Sequence, residues 1–428
     1  MSQNNIISLG GTSRRRFITN CAAAAASIPV LAGLPTNVFA AGANDGIIRI
    51  GLVGAGGRGT DAVGNILEAA RIAKKNVKVV AVGDVFADAA NGAAKRFGAQ
   101  AFVGFDAYKK VLDAGIDIVI LATAPGFRPV HIAAAVEKGV HIFAEKPVAT
   151  DPAGARLVLE AAAKAKEKKL SFVAGTQRRH QNNYIETLKR IHDGEIGEIV
   201  GGQVYWCMGG LWHKGRKPEW TEIEYQVRNW LYFTWLSGDH IVEQHVHNID
   251  VANWAFGAHP AKVFGMGGRQ SRTGKEYGDA FDHFSIEYEY PNGARVQSFC
   301  RQAPGANDRV TERLVGTKGV AVPGAIYKHG ERRPAWRYSG GGLNPYVQEH
   351  VDLLKSITGE GPYQNEGVNV AESTLSGIIG RMSAYTGREI SYKWALEASK
   401  LDIVPKDPTR DTPAPVVEIA VPGRTRLI

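Results

Sequence analysis

The chain has 428 residues, 44% apolar and 22% charged, with 50 glycines and three cysteines. That length exceeds one ordinary hydrophobic core, and the even composition, free of repeats and low-complexity tracts, excludes a disordered chain or a solenoid. The formal charge of +9 does not mark a nucleic-acid binder: Arg14, Arg15 and Arg16 sit in an N-terminal leader without acidic residues, and the other Lys and Arg are interspersed with Asp and Glu.

Ser13-Arg14-Arg15-Arg16-Phe17-Ile18 resembles the twin-arginine export motif. An uncharged stretch from Cys21 to Leu34 follows, and Val38-Phe39-Ala40 fits a small-residue cleavage site. The apolar run is too short and alanine-rich to span a bilayer. Residues 1–40 therefore read as a signal peptide, with the twin-arginine translocase as a transient partner, no stable membrane insertion and a periplasmic mature protein. Beyond the leader only Cys207 and Cys300 remain, outside any C-x-x-C pair or zinc-finger spacing, and they read as two buried thiols.

Ile47 to Val53 reads as an apolar strand running into Gly54-Ala55-Gly56-Gly57-Arg58-Gly59, and Thr60 to Ala73 has helical periodicity. Strand, glycine turn and helix in that order form a dinucleotide-binding pattern. Gly54 permits the turn, Gly56 lets backbone approach a pyrophosphate at the helix N-terminus, and Gly59 lets helix and strand pack closely. Gly57 and Arg58 complete the loop. A second strand, Val77 to Val82, leads to Asp84, 25 residues beyond Gly59. An acid there accepts hydrogen bonds from the adenosine ribose and repels a 2′-phosphate, favouring NAD over NADP; the same residue could instead cap the helix from about Phe86.

The alternation continues with strands Ala101 to Phe105, Asp117 to Ala122, His141 to Ala144 and Leu170 to Ala174. Helices are expected over Ala107 to Ala114, about Pro129 to Lys138, and Asp151-Pro152 to about Lys168. This predicts an α/β fold: a doubly wound parallel Rossmann sheet over residues 46–174, with ligands beyond the strand ends at Thr123-Ala124-Pro125 and Glu145-Lys146-Pro147.

Glu145-Lys146-Pro147, at this distance from the glycine turn, resembles the E-K-P signature of the glucose-fructose oxidoreductase, inositol dehydrogenase and MocA family. The resemblance covers about residues 47–400. It implies that Lys146 reaches substrate and nicotinamide while Pro147 shapes the turn. An ammonium beside a reacting hydroxyl lowers its pKa and stabilises a developing alkoxide. Gln177 and Arg178, in the basic segment after the strand ending at Ala174, are candidate cofactor or substrate contacts.

Ser237 to Asn253 resembles the family's D-x-x-x-H segment, present here as Glu243-x-x-x-His247 with Asp250 three residues later. On one continuous helix these three would share roughly a 60° arc. His247 is the expected general base, Glu243 its orienter or a substrate ligand, and Asp250 a substrate contact. Two residues depart from the family pattern, Glu243 where Asp is usual and His245 where a small residue is usual, and both could reshape the pocket. His245 points about 160° from His247, and no second ligand pair accompanies Glu243 and His247, so no metal is expected.

Between Val204 and Trp235 lie Trp206, Trp212, Trp220, Trp230 and Trp235, suited to the C–H faces of sugars though several must be core. Strands are expected over Ala261 to Met266, Phe284 to Tyr290 and Ala294 to Phe299. Together with later helices they make residues 175–404 an α+β substrate domain with an open, largely antiparallel sheet; in the family this sheet is also the oligomer interface. Residues 405–428 read as an extended tail.

These features imply an exported NAD-dependent oxidoreductase moving hydride between a tightly bound cofactor and a sugar or polyol. Two alternatives stay open: redox-neutral, NAD-dependent glycoside cleavage on the same fold, and an exported sugar-binding sensor with a degenerate dinucleotide fold.

Overall fold

The computed structural model describes residues 46–428. The expected signal peptide and its cleavage site lie outside the described residues. Six strands form the first sheet: β1 (Ile47–Val53), β2 (Asn76–Asp84), β3 (Gln100–Val103), β4 (Ile118–Leu121), β5 (His141–Ala144) and β6 (Phe172–Ala174). All pair in parallel, in the order β3-β2-β1-β4-β5-β6. Strands β4 and β5 are buried on both faces, which is why they are runs of apolar residues rather than alternating ones.

Both faces are covered by helices α1 (Gly57–Ala73), α2 (Ala87–Phe97), α3 (Ala107–Leu112), α4 (Arg128–Lys138) and α5 (Pro152–Glu167). Helix α5 begins where the sequence places it: Asp151 Oδ1 accepts from Gly154 N at 2.7 Å, and Pro152 occupies the first turn. The strand order reverses between β1 and β4, so their carboxyl ends open a crevice.

The second sheet has nine strands: β7 (Ile199–Met208), β8 (Lys262–Gly268), β9 (His283–Glu289), β10 (Arg295–Gln302), β11 (Arg309–Gly316), β12 (Gly319–Val322), β13 (Ala325–Lys328), β14 (Trp336–Arg337) and β15 (Ile390–Ser391). Their order is β14-β13-β12-β11-β7-β10-β9-β8-β15, and every pairing except β10 with β7 is antiparallel. Strands β9 and β10 alternate buried and partly exposed residues. Their inner side chains, including Ile286, Tyr288 and Val296, pack on Leu375, Ile378 and Ile379 of the helix Gly367–Thr386. The opposite face is open.

Two sequence expectations change. The helix Pro345–Thr358 falls in the second domain by chain order, but its Val347, Val351 and Leu354 join the core of the first sheet beside Val63 and Ile66 of α1. The single helix expected between Ser237 and Asn253 is instead two, His240–Glu243 and Val246–Phe256. Its break follows from tertiary contacts. Asp239 sits in the left-handed region at φ 71°, held by hydrogen bonds from Phe281 N at 2.7 Å and Tyr385 Oη at 2.6 Å, and His245 is drawn under the sheet to Ser298 Oγ at 2.6 Å.

Among the described residues both cysteines are free and no helix is long and apolar enough to cross a membrane.

Candidate active site

A cleft of about 1180 Å³ runs from the glycine turn across the strand ends to the second domain. The turn is built by close approach. Gly54 has φ +92°, and a Cβ on it would lie 2.5 Å from the Ala122 and Thr123 backbone; one on Gly59 would lie 1.9 Å from Gly54 O. Gly56 and Gly57 face open cleft instead, with nothing within 4 Å of an added Cβ. No side chain caps the α1 N-terminus, so its first N–H groups and the positive end of its dipole are available to a phosphate.

Asp84 lines the same end of the cleft. Its Oδ2 accepts from Ala55 N at 2.7 Å and its Oδ1 from Phe86 N at 2.9 Å, so it braces the turn and does not supply the side-chain cap of α2. Each oxygen keeps a lone pair for a ribose hydroxyl. Burial, its largest influence, raises the Asp84 pKa, opposed by those two N–H groups. These features fit a nicotinamide dinucleotide, whose pyrophosphate Gly56 and Gly57 would accommodate and whose adenosine ribose Asp84 would bind.

The three residues of the E-K-P motif tie the cleft together. Glu145 accepts from Arg58 Nε at 2.5 Å, and Arg58 also reaches Glu349 at 3.3 Å and stacks 5.0 Å from the Tyr346 ring centre. Arg58 is thus held by carboxylates at the floor rather than left free for phosphate. Lys146 Nζ donates to the backbone carbonyl of Glu243, an acceptor freed by the helix break. Pro147 does not line the cleft; its carbonyl accepts from buried Arg128 NH1 at 2.6 Å, which fixes the loop behind Lys146. Thr123 does line it and contacts His131 Nδ1 at 3.3 Å.

Glu243, Gln244 and His247 line the cleft opposite Lys146. His247 is 5% exposed, its ring stacks at 5.5 Å on Trp206, and its Nδ1 has no hydrogen-bond partner. Burial, reinforced by the Lys146 and Arg178 charges, holds its pKa well below the usual imidazole value, so the ring is a neutral proton acceptor. Burial likewise raises the Glu243 carboxyl to about 7, against the opposing pull of Lys146 and Arg272. Lys146 is lowered, first by burial, with Glu243 and Glu145 opposing. The chemical end of the cleft therefore holds a neutral base, a carboxyl poised near neutrality and the Lys146 amine.

Four expected contacts stand behind the wall. Pro147 is one. Asp250 is another: its carboxylate is taken by Arg179 at 2.8 and 2.9 Å and by Ser373 Oγ at 2.8 Å, and the helix break parts Glu243 from the helix that carries His247 and Asp250. Arg178 pairs with Glu312 and lies 5.6 Å from the Trp206 ring, so it braces the ring on which His247 rests. Gln177 donates to Tyr346 Oη at 3.2 Å and is likewise behind the cleft surface. His245, expected to reshape the pocket, is wholly buried beneath the sheet, and burial lowers its pKa to about 3.

Sequence reasoning missed Arg128, Gln244 and Tyr346 as lining groups. Only Tyr346 left a signal, following an Asn344-Pro345 helix start whose Asn344 Oδ1 accepts from Tyr346 N at 3.0 Å. Among the described residues no group of three or more His, Cys, Asp or Glu is arranged to hold a metal.

Known proteins share this architecture. The family model for the oxidoreductase family NAD-binding Rossmann fold, GFO_IDH_MocA, matches residues 48–173, and that for the GFO/IDH/MocA C-terminal domain matches residues 184–322. An inositol 2-dehydrogenase of Acidothermus cellulolyticus is 30% identical over 280 residues, 65% of this chain and 74% of the relative. The scyllo-inositol 2-dehydrogenase (NAD(+)) of Bacillus subtilis is 28% identical over 58% of this chain and 67% of the relative. The chain spans 60% of the length of an uncharacterised oxidoreductase of Streptococcus pneumoniae to which it is 27% identical, over 58% of this chain. Among solved structures, a levoglucosan dehydrogenase complexed with NADH and levoglucosan superposes with a TM-score of 0.65 at 19% identity, covering 81% of this chain and 99% of the other. With the Rossmann sheet, the glycine turn and the E-K-P loop in place, the chain belongs to the Gfo/Idh/MocA oxidoreductase family.

Proposed function

We propose that this protein is an NAD-dependent sugar or polyol oxidoreductase that keeps its cofactor bound between turnovers. The observation that carries this reading is the convergence of Lys146, Glu243 and His247 on the cleft whose other end is the glycine turn. The inositol dehydrogenases among its relatives support a polyhydroxylated substrate.

When bound, NAD supplies the hydride acceptor. The chain's own groups handle the oxygen: the neutral His247 imidazole takes the hydroxyl proton, and Lys146 Nζ stabilises the developing negative charge. The short contact from Lys146 to the Glu243 carbonyl fixes the ammonium before substrate arrives, and Trp206 sets the plane of the imidazole. Glu243 orients a neighbouring hydroxyl. A preference for NAD over NADP is supported by the buried Asp84, whose carboxylate a 2′-phosphate would oppose.

The twin-arginine pattern at Arg14–Arg16 supports export in the folded state, and a resident cofactor regenerated within the site suits a compartment without a free nicotinamide pool. Self-association through the open face of the second sheet is supported by Phe264 and Met266, 49% and 65% exposed, beside the stacked Tyr205–Phe299 pair.

A second reading is favoured by one observation, that Glu243 and His247 line the same cleft as Lys146. Beside a transiently oxidised sugar carbon, one of the pair could take the proton of the acidified neighbouring C–H and the other protonate the departing oxygen, so that water addition and return of the hydride would give redox-neutral glycoside cleavage. Protein with its native cofactor, mixed with a panel of free sugars, polyols and glycosides, separates the readings. A stoichiometric change of the bound nicotinamide at 340 nm on adding a single free sugar or polyol supports the oxidoreductase, and catalytic aglycone release with the nicotinamide returned to its starting state supports cleavage. Tight NAD binding with neither signal across the panel points to a sensor and sinks both.

A further inference from the structure

The chain beyond the last helix has no regular secondary structure, yet the segment from Leu401 to Arg410 is pinned along its length. Ile403 N donates to Asp151 Oδ2 at 2.9 Å, and Ile403 and Val404 pack in the apolar cluster that holds Phe105 and Phe127. Asp407 pairs with Lys109 of α3 at 3.6 Å. Arg410 then pairs with Glu224 at 3.0 Å and donates to Glu219 O at 3.2 Å. The first anchors belong to the Rossmann domain and the last to the aromatic segment of the second domain, so this stretch is a strap across both.

Beneath the strap lies a cavity of about 170 Å³ that opens from the cleft at its Asp84 end. Asp84, Val85, Thr123 and Phe127 line both spaces. The remaining walls are mostly apolar: Tyr108 and Val130 on the domain side, Val404, Pro405 and Pro408 on the strap side. A ribose held by Asp84 leaves its base one glycosidic bond further on, and this slot is the adjoining apolar space in which a flat heterocycle can bury its faces.

We propose that residues Leu401–Arg410 form the outer wall of the adenine site, a strap that makes the dinucleotide a resident ligand. The inference rests on the reading of the cleft as an NAD site. A base under the strap is covered by the chain at Val404 to Pro408, which is held against Phe105 and Phe127, so dissociation is slowed by anchors on two domains as well as by contacts to the nucleotide. Nicotinamide mononucleotide lacks the adenosine half and does not meet the strap.

The test compares full-length protein with a Val404→Ser/Pro408→Gly variant. Dissociation of bound NAD is followed by chase with its fluorescent ethenoadenine analogue, and nicotinamide mononucleotide affinity is measured beside it. The expected result is NAD dissociation at least tenfold faster in the variant, with mononucleotide affinity unchanged within twofold. Unchanged NAD dissociation overturns the strap, as does an equal loss of both nucleotides, which would report general loosening. Should the double variant not fold, Arg410→Ala at the exposed rim is held to the same comparison with a threshold of threefold. Wild-type protein that neither retains nor takes up NAD defeats the reading of the cleft and the strap together, whereas retention with an insensitive strap defeats the strap alone.

Discussion

At the dinucleotide end of the cleft the turn is backbone: Gly54 to Gly59 follow one another in the chain, and Gly54 and Gly59 leave no room for a Cβ. At the chemical end the walls are side chains drawn from separate stretches, Glu145–Lys146, Trp206, Glu243–His247 and Tyr346, braced by neighbouring polar side chains. Arg128 holds the loop of Lys146, Arg178 lies against Trp206, and Asp239 sets the short helix carrying Glu243. The first kind of site tolerates distant change but not local change. The second depends on buried polar groups drawn from both domains.

The contrast is broken most sharply at the chemical groups. Lys146→Met and His247→Ala are each expected to lower kcat/KM by about 10²–10⁴-fold while NAD affinity moves little, because the cofactor is held by backbone elsewhere. A titration showing NAD binding lost in step with activity would mean that the two ends are not separable.

Asp250 tests the claim that a residue in the right sequence motif can be structural. Asp250→Ala leaves Arg179 without its buried partner and is expected to cost about 3–5 kcal/mol in denaturant unfolding. The fraction that remains folded should keep the wild-type KM; a raised KM would return Asp250 to the substrate.

Glu243 gives a pH signature. Its folded pKa, about 7, lies above the ordinary 4.5, so the folded state binds the proton more tightly than the unfolded one. The resulting stability is fully present below pH about 4.5 and is lost as pH rises through about 7. Between pH 5 and pH 8 the loss is on the order of 2 kcal/mol, and Glu243→Gln should flatten that part of the unfolding profile. A variant profile parallel to wild type would place the titration elsewhere.

The smallest expected effect lies at the dinucleotide end. Asp84→Asn should reduce the preference for NAD over NADP about tenfold, measured as the ratio of the two affinities, and loosen the turn only slightly since an amide oxygen still accepts from Ala55 N. An unaltered ratio would assign cofactor choice to another group on the cleft.

The first sheet was legible because its signals are local. Apolar runs of strand length, a glycine turn and an Asp-Pro helix start each act within a few residues, and β1, α1, β5 and α5 appear within three residues of their expected bounds. The break at Gln244–His245 was not legible, since nothing in the helical spacing of Glu243, His247 and Asp250 shows that His245 shares a hydrogen bond with Ser298, 53 residues further on. Strands β11 to β14 and the return of the helix Pro345–Thr358 to the first core were hidden for the same reason. Their patterns allow a strand or a helix but do not name the partner that buries it.

By itself, then, the sequence determined the dinucleotide turn and the parallel sheet behind it, and its resemblance to the family singled out Lys146, Glu243 and His247 as candidate chemical groups. The turn and the sheet follow from backbone sterics, periodicity and side-chain chemistry, which are properties of short stretches. Tertiary structure alone decided which polar residues face the cleft and which brace it, how far burial moves their proton affinities, and where the C-terminal strap lies. Each of these depends on what surrounds a residue in space, and burial and pairing are set by neighbours that the chain supplies from far away.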